Sequence, residues 1–346
     1  MIVIGADPHK RTHTVCAVDA ATGELRSSET VAASKAGHAR LLAWGRGLGD
    51  GRVWAIEDCR HVSGGLERAL VDAGERVVRV APKLMAGQRR SARQRGKSDE
   101  IDALAVARAA LREGIDTLPT AHLDEAALEL KLLSDHRDNL VADRADSQRR
   151  LRWHLHDLWP DHEIPTGALD RNVWLDKTSR KLARADQTAR VRVSRDLINH
   201  IRQSLRQERN LQKEIAALVN DQAPQLLDIP GCGPLTAGRI IAETAGIDRF
   251  KTDAQFARLA GVAPIPASTA NTNRHRLDRQ GNHRLNCAIH RIAITQARTH
   301  PPARTYLTRK QTEGKTTKEA IRALKRHLAR TIHNPHHPTH PTNHLT

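Results

Sequence analysis

"IVIGADPHKRTHTVCAVDAATGEL", residues 2–25, decides the fold class of this chain. An apolar run that ends on Asp7 is followed by an alternating segment that breaks at a Thr-Gly pair, as a β-hairpin does. Two more β-rich runs, residues 52–58 and 75–82, are separated by a helical pattern that ends at Gly74. Strand, helix and strand in this order predict an α/β sheet domain at the N-terminus.

The excess of positive charge indicates which class of partner the protein binds. The chain has 346 residues, and its 56 Lys and Arg outnumber its 39 Asp and Glu, which gives a formal net charge of +17. Such a surplus attracts phosphate backbones and releases their counterions, so nucleic acid is the leading partner; a ribosome-associated protein or a merely basic soluble protein is the alternative. Aromatic residues make up only 2% of the chain, which argues against a single-strand reader built on stacking.

The spacing of the cysteines and the hydropathy of the chain indicate a cellular compartment. The four cysteines are far apart and form no CxxC pair: Cys16, Cys59, Cys232 and Cys287. This spacing argues against a zinc site and a disulfide framework, and it fits a reducing cytoplasm. No run approaches the length of a membrane span, and an acid stands at position 7, where a signal peptide would carry its apolar stretch. We expect a soluble, cytoplasmic protein without a membrane partner.

Polar and helical patterns organise the rest of the chain. Residues 122–158 and 178–222 are charged, with leucines near heptad spacing, and predict a long helical hairpin or coiled-coil arm. The last residues are rich in His and Pro, which predicts disorder, with adventitious metal binding as a second interpretation. The predicted domains are a catalytic α/β domain at 1–120, the arm at 121–223, a mostly α-helical C-terminal domain at 224–332 and the tail at 333–346.

Four acidic residues are candidates for one metal site. Asp7 ends the first strand and Glu57 ends a later one. Asp99 and Asp102 share a helix face, because positions three apart are neighbours. Converging carboxylates repel one another unless cations neutralise them, and Mg²⁺ or Mn²⁺ suits such oxygen ligands and phosphodiester chemistry. The alternative for the helical pair is capping of the helix by Ser98 or Asp99.

Three segments carry candidate contacts to a nucleic-acid backbone. The run "IPGCGPLTAGRIIAE", residues 229–243, predicts a helix-hairpin-helix that grips DNA through backbone N–H groups; an αα-hairpin that only packs is the alternative. In the basic, turn-rich residues 259–286, Ser268 lies where a hydroxyl group can attack a phosphate, or it is simply a turn residue. The third segment is the basic run just before the acidic helix. The three segments together give these candidate binding residues: Arg89, Arg90, Arg93, Arg95, Lys97, Gly231, Gly233, Arg274, Arg276 and Arg279.

Five segments follow one another in the chain in a recognisable order: "IGADPHKRTHTVCAVDAATGEL", "WAIEDCRHVSGGLERAL", "RRSARQRGKSDEIDALAVARAALREG", "IPGCGPLTAGRIIAE" and "GVAPIPASTANTNRHRLDRQGNHRLNCAIHRIA". Together they resemble the DEDD-type insertion-sequence transposases, recombinases that work with a structured bridge RNA. The resemblance runs from residue 2 to residue 332, and the block around "GKSDEIDA" is its most specific part.

This resemblance implies the site residues. It implies a RuvC-like, ribonuclease-H-type N-terminal domain whose four acidic positions bind Mg²⁺: Asp7, Glu57, Asp99 and Asp102. It also implies that Ser268, in a C-terminal transposase domain, attacks DNA and becomes linked to it through a phosphate. The family often shows Ser-Ser-Gly where this chain has Ser-Thr-Ala, so Thr269 is the fallback nucleophile. Loss of the glycine restricts the backbone of this loop.

The resemblance also implies an assembly and a reaction. The expected form is a homo-oligomer, a dimer or tetramer, in which the acids of one subunit join Ser268 of another on donor and target DNA selected by RNA base pairing. The predicted function is excision and insertion of the protein's own mobile element. Two alternatives stay open: a Mg²⁺-dependent nuclease or Holliday-junction resolvase that uses water as nucleophile, and an inactive nucleic-acid-binding remnant.

Overall fold

Strands and helices occupy most of the segments that the sequence predicts. The computed structural model describes residues 1–58, 60–82, 84–85, 98–121, 124–247, 250–267, 275–276 and 281–334. The strands are β1 Ile2–Pro8, β2 Thr12–Asp19, β3 Leu25–Ala32, β4 Arg52–Glu57, β5 Val77–Val80, β6 Ile265–Pro266 and β7 His275–Arg276. The helices are α1 Lys35–Gly47, α2 Arg60–Asp72, α3 Asp99–Glu113, α4 Glu125–Leu158, α5 Asn172–Ala183, α6 Ala189–Gln222, α7 Pro234–Thr244, α8 Asp253–Leu259, α9 His283–Thr299, α10 Pro301–Thr312 and α11 Thr317–His333. Within these described ranges no helix has the length and apolar character that a bilayer span requires.

The chain divides into two compact units. The first unit comprises residues 1–124 and 245–283, and the second comprises residues 125–244 and the chain from residue 284 onward. This division differs from the predicted domains, because part of the predicted C-terminal domain groups with the N-terminal sheet instead of with the helices around it. The four-part division therefore stays a prediction.

A mixed five-stranded sheet, in the order β3-β2-β1-β4-β5, organises the first unit. Strand β2 runs antiparallel to β1 and β3, whereas β1, β4 and β5 run parallel. This arrangement fits the ribonuclease-H-type domain that the resemblance implies. Because β1 and β4 are parallel neighbours, their carboxyl ends lie side by side at one edge of the sheet.

Both faces of the sheet are covered by helices. On one face, Val3 and Val53 pack with Val106 and Ala110 of α3. On the other face, alternate residues of the same strands pack with α1 and α2, in a cluster that includes Ile4, Trp54, Ile56, Leu41 and Leu66. Burial on both faces explains why the strands are nearly continuous apolar runs instead of strictly alternating ones.

Gly5 allows α3 to lie directly on the sheet. A β-carbon built on Gly5 would lie 2.2 Å from the carbonyl oxygen of Ala103 and 2.5 Å from the backbone nitrogen of Ala107. Both atoms belong to the backbone of α3, so a rotamer change cannot relieve the overlap. The alanine-rich face of α3 completes the fit, and this close approach holds the first turn of α3 over the carboxyl end of β1.

Substitution of Gly5 by alanine is expected to lower the free energy of unfolding by about 3 kcal/mol, because α3 must move away from the sheet. Chemical denaturation measures the loss. Gly47→Ala is the matched control, since a β-carbon at Gly47 meets no atom within 4 Å. Equal stability of the Gly5→Ala and wild-type proteins would contradict the close approach of α3.

Two helices of 34 residues each, α4 and α6, pack together in the second unit. They follow the predicted arm, except that its second half is divided by a break at residues 184–188 into α5 and α6. Apolar side chains of α4, α5 and α6 form a separate core that includes Leu151, Leu155, Leu175, Leu182, Ile198 and Ile201. The helical hairpin is therefore present, and regular coiled-coil packing along it stays a prediction.

A charged network joins α4 to α7 inside the second unit. Arg239 is 8% exposed and donates to Asp135 Oδ1 at 2.5 Å and to Asp138 Oδ2 at 2.6 Å. Lys131 reaches both Asp135 and the buried Glu243. Burial alone would raise the pKa of Asp135, but hydrogen bonds from cationic neighbours, Arg239 among them, hold that pKa well below its usual range. Cations and acids therefore neutralise each other where water is scarce.

Replacement of Arg239 by methionine is expected to cost about 3 kcal/mol of unfolding free energy, because it removes the most buried of the cations that neutralise these partly buried carboxylates. The measurement is urea denaturation of both proteins at pH 7. Arg209→Met on the exposed face of α6 is the control and is expected to change stability little. A loss no larger than that of the control would show that the network does not stabilise this unit.

Candidate functional site

Asp7 lies at the carboxyl end of β1, on the side of the sheet that α3 covers. It follows Gly5 by two positions, so its side chain points to the same face as the glycine that α3 contacts. Only 4% of Asp7 is exposed to solvent. A buried acid at this edge of a sheet needs a compensating group, because an unpaired carboxylate is costly to desolvate.

The first turn of α3 brings two more acids to Asp7. Ser98 caps the helix: its hydroxyl accepts a hydrogen bond from the Ile101 N–H at 3.2 Å. The capping alternative from the sequence is thus satisfied by Ser98, and Asp99 is not required for it. Asp99 is exposed, whereas Asp102 is buried, and both lie close enough to act electrostatically on Asp7.

The pKa of Asp7 reflects its burial and the acids around it. Burial raises the pKa of Asp7 above its ordinary value, and the neighbouring carboxylates of Asp102 and Asp99 raise it further. His9 acts in the opposite direction, through its charge and its hydrogen bond, but the net direction is upward. The anionic form of Asp7 is therefore less stable here than in a free carboxylate, and a bound cation would stabilise it.

His9 is a member of the cluster that the sequence reasoning missed. Its Nε2 atom lies 3.0 Å from Asp7 Oδ2 and 3.3 Å from Asp99 Oδ1. These three residues offer ligand atoms that all lie within 4.8 Å of one another. The signal in the sequence is the spacing, because a histidine two residues after an acid at a strand end lies beside that acid.

Glu57 takes a neighbouring place at the same edge. It is the last residue of β4, and the parallel pairing of β1 with β4 runs up to Ala6 and Ile56, the residues just before Asp7 and Glu57. The odd-numbered positions of β4 face α3, so Glu57 is on the same side of the sheet as Asp7. Among the described residues, the group within 4.8 Å contains neither Glu57 nor Asp102. The structure thus brings Asp7 and Asp99 together with His9. A single metal site formed by all four predicted acids stays a prediction.

The donor set fits a divalent cation. Carboxylate oxygens are the ligands that hard cations such as Mg²⁺ and Mn²⁺ prefer, and an imidazole nitrogen suits transition metals. Asp7, Asp99 and His9 supply these atoms in one place, with the buried Asp102 beside them. The residues at this edge are therefore able to hold a divalent metal ion.

Most of the predicted nucleic-acid contacts and the predicted nucleophile lie outside the described residues. They are Arg89, Arg90, Arg93, Arg95, Lys97, Ser268, Thr269, Arg274 and Arg279. Arg276 is described: it is exposed on β7, where it pairs with Ile265 of β6. An exposed arginine on this short ribbon is compatible with a phosphate contact.

Gly231 and Gly233 lie in the turn before α7. Gly231 has φ +84°, and a β-carbon there would lie 3.0 Å from the Thr295 side chain of α9. The same turn is held to α9 by the Gln296 side-chain amide, which donates to the Pro230 carbonyl at 2.8 Å. Gly231 is thus required for backbone conformation and packing. A role of this turn in gripping DNA, and the helix-hairpin-helix as such, stay predictions.

A pair of histidines, one buried and one partly buried, lies on the opposite face of the same sheet end. His13 is 1% exposed; its Nε2 lies 3.2 Å from Nε2 of His38, and the two rings stack. Burial first, and then the neighbouring His38 and His9, lower the pKa of His13 to about 4. The folded protein therefore holds His13 neutral at pH values where the unfolded chain binds a proton.

Acid is expected to destabilise the protein through this pair. With an unfolded pKa near 6.5 and a folded pKa of about 4, the stabilisation is complete above pH 6.5 and declines as the pH falls toward 4, by up to about 1.4 kcal/mol per pH unit. Denaturation curves of wild type and His13→Leu at pH 7, 6 and 5 measure it. The variant should show the shallower decline, and equal slopes would contradict this assignment.

Comparison with known families identifies the chain. A family profile for DEDD transposases of the IS110 type, described as "Transposase", matches residues 4–160. A second profile, described as "Transposase IS116/IS110/IS902 family", matches residues 223–308. Together they span more than half of the chain, one over the acidic cluster and one over the glycine turn and the serine-bearing segment. The chain belongs to the IS116/IS110/IS902 family of transposases.

Relatives encoded by insertion elements match nearly the whole chain. An IS116 protein of Streptomyces clavuligerus, an uncharacterised 44.8 kDa protein, is 26% identical over 94% of this chain and 92% of its own length. An IS900 protein of Mycobacterium paratuberculosis, an uncharacterised 42 kDa protein, is 28% identical over 93% of this chain and 92% of its own length.

A solved structure is similar over a smaller part of the chain. RuvC of T. thermophilus in complex with Holliday junction substrate is 18% identical and covers 35% of this chain and 99% of its own, with a TM-score of 0.28. A similarity at this TM-score does not define the fold, which follows from the strand order and directions given above.

Proposed function

We propose that this protein is a cytoplasmic DNA transposase that excises and inserts its insertion sequence by Mg²⁺-dependent strand cleavage and exchange. The observation that carries the proposal is the cluster at the carboxyl end of β1. There α3 sets Asp99 and Asp102 against the buried Asp7, in a chain that belongs to a transposase family. A strongly basic chain with a cation-binding edge is suited to phosphodiester chemistry.

Each acid has a role in this proposal. Asp7, Asp99 and Asp102 bind Mg²⁺, with Mn²⁺ as a substitute, and Glu57 joins them from the end of β4. A bound divalent ion stabilises the negative charge that develops on the oxygens of the reacting phosphate. The Ser98 cap and the Gly5 contact fix α3 at this edge, so that the carboxylates are positioned before DNA arrives.

The proposed nucleophile is Ser268, with Thr269 as the fallback. The hydroxyl oxygen attacks the phosphorus of a DNA phosphodiester, a phosphoserine bond forms, and one deoxyribose hydroxyl leaves with the proton that the serine gives up. Attack by a hydroxyl of another strand reverses the step and restores the serine. The family match over residues 223–308, which includes this segment, supports the assignment.

The proposed partners are donor and target DNA, a bridge RNA and further copies of this chain. Basic residues around 89–97 and 274–279 contact phosphates, and the turn at 229–233 contributes backbone N–H groups. Base pairing with the RNA selects the DNA, which suits a protein with few aromatic side chains and many cations. The acids of one subunit act with Ser268 of another in a dimer or tetramer.

An assay of the wild-type protein on a plasmid that carries the element tests this function. Excised and joined DNA, together with DNA that stays attached to protein after denaturation, is the expected result. Nicked or linear DNA without joined product or attached protein would favour a nuclease or resolvase that uses water. Binding of DNA without cleavage would favour the alternative that the protein is an inactive nucleic-acid-binding remnant.

RNA that co-purifies with the protein tests the guide separately. A discrete species encoded beside the element is expected, and it would also supply the target sequence. Random fragments in a preparation that is active in strand exchange would contradict guidance by RNA and leave the strand-transfer chemistry intact.

A further inference from the structure

We propose that His9 is a direct nitrogen ligand of the cation at the Asp7 site, and that this ligand raises the preference of the site for Mn²⁺ over Mg²⁺. The inference rests on the proposed function, which places a divalent ion among the acids. The acids alone would form an all-oxygen site. His9 changes its chemistry, because imidazole nitrogen is a better ligand for transition metals than for Mg²⁺.

The distances at His9 match a shared cation. Adjacent ligands of an octahedral ion, each about 2.1 Å from the metal, lie about 3.0 Å apart. The Nε2 atom of His9 lies 3.0 Å from Asp7 Oδ2 and 3.3 Å from Asp99 Oδ1. The first separation has the length of an octahedron edge and the second is about 0.3 Å longer, so one nitrogen lies near both oxygens at close to ligand spacing.

One hydrogen bond from His9 Nε2 accounts for its contact with Asp7 or for its contact with Asp99, but not for both. A single Nε2 atom faces two carboxylate oxygens, and its one hydrogen points well to only one of them. A cation at the centre of the three atoms interacts with all of them at once.

The place of His9 in the chain makes it available for coordination. It follows the end of β1, and its side chain is half exposed, so an ion can reach Nε2 from solvent. The backbone N–H of His9 donates to the Thr12 carbonyl at 2.9 Å, which ties the turn to β2 and sets the position of the ring. Asp7 is buried, so the turn brings a solvent-accessible nitrogen to a buried oxygen.

Electron paramagnetic resonance of the full-length protein with one equivalent of Mn²⁺ tests the proposal. Spin-echo modulation from a directly bound nitrogen is expected in the wild type and should disappear in His9→Gln and His9→Asn. His200→Gln, which changes an exposed histidine of α6, should keep it. The His9 variants keep the His-rich tail, so loss of the modulation in them excludes adventitious binding there. Thermal unfolding checks that all variants are folded.

Affinity supplies the second readout. Mn²⁺ titration should show about tenfold weaker binding by His9→Gln, and competition with Mg²⁺ should show a much smaller change in Mg²⁺ affinity. Equal Mn²⁺ affinity and an unchanged nitrogen signal in the His9 variants would overturn the proposal.

Comparison of Mn²⁺ binding by Asp7→Asn and by the His9 variants distinguishes a failure of this proposal from a failure of the proposed function. If Asp7→Asn abolishes Mn²⁺ binding while the His9 variants bind Mn²⁺ as the wild type does, His9 is not a ligand and the acidic metal site stands. If neither Asp7→Asn nor the His9 variants change Mn²⁺ binding, the metal site at this edge is itself wrong.

Discussion

The Asp7→Asn protein is expected to cleave and exchange DNA strands about 1,000-fold more slowly than the wild type, because loss of metal-based charge stabilisation removes several kcal/mol. Asparagine keeps the shape of the side chain and removes its charge, so the buried position stays filled. DNA affinity is expected to be unchanged or slightly stronger, since one negative charge near the phosphates is lost. Rates on a plasmid substrate and gel-shift titrations measure the two quantities separately.

Asp50→Asn is the matched control for this substitution. Asp50 is fully exposed in the loop before β4, so its replacement changes the net charge equally but touches no acidic cluster. Wild-type rates are expected for it. Strand exchange by Asp7→Asn at the rate of Asp50→Asn would show that the reaction does not depend on the proposed metal site.

Ser268→Ala is expected to abolish both strand exchange and the covalent protein–DNA product, while nucleic-acid affinity stays at the wild-type level. Alanine has no oxygen to attack phosphorus, and no other group replaces a deleted nucleophile at a comparable rate. Denaturing gels of labelled DNA detect the attached protein directly. Thr269→Ala is the control, with exchange retained.

Two other results would change this assignment. If Ser268→Ala keeps the covalent product and Thr269→Ala loses it, the nucleophile is the threonine. Cleavage by both variants at the wild-type rate, with no protein attached to the DNA, would mean that water attacks and that the phosphoserine mechanism is wrong.

Much of the sheet was predictable from apolar runs. Strands β1, β2, β4 and β5 coincide with such runs, and strand, helix and strand in succession indicated an α/β domain but not the order of the strands in the sheet. Strand β3 and helix α1 were not predicted. Strand β3 is an edge strand whose residues are mostly exposed, in the sequence "LRSSETVA", so it carries no apolar signal. The break between α5 and α6 was also missed, because the charged pattern continues across it.

The candidate site was predictable in part. An acid directly after a buried strand, and two acids three apart at a helix start, were enough to bring Asp7, Asp99 and Asp102 into one hypothesis. The sequence could not give the contact of Gly5 with α3, because it depends on where a distant helix crosses the strand. The position of His9 between two carboxylates has the same origin, since a turn and a helix far apart in sequence meet there.

A crystal of the protein grown with Mn²⁺ shows whether Asp7 binds a metal ion, because the metal is located by its anomalous scattering. A peak is expected about 2.0–2.2 Å from a carboxylate oxygen of Asp7, with Asp99 or Asp102 as a further neighbour. An ordered Asp7 side chain with no peak beside it at saturating Mn²⁺ would mean that Asp7 is not a metal ligand.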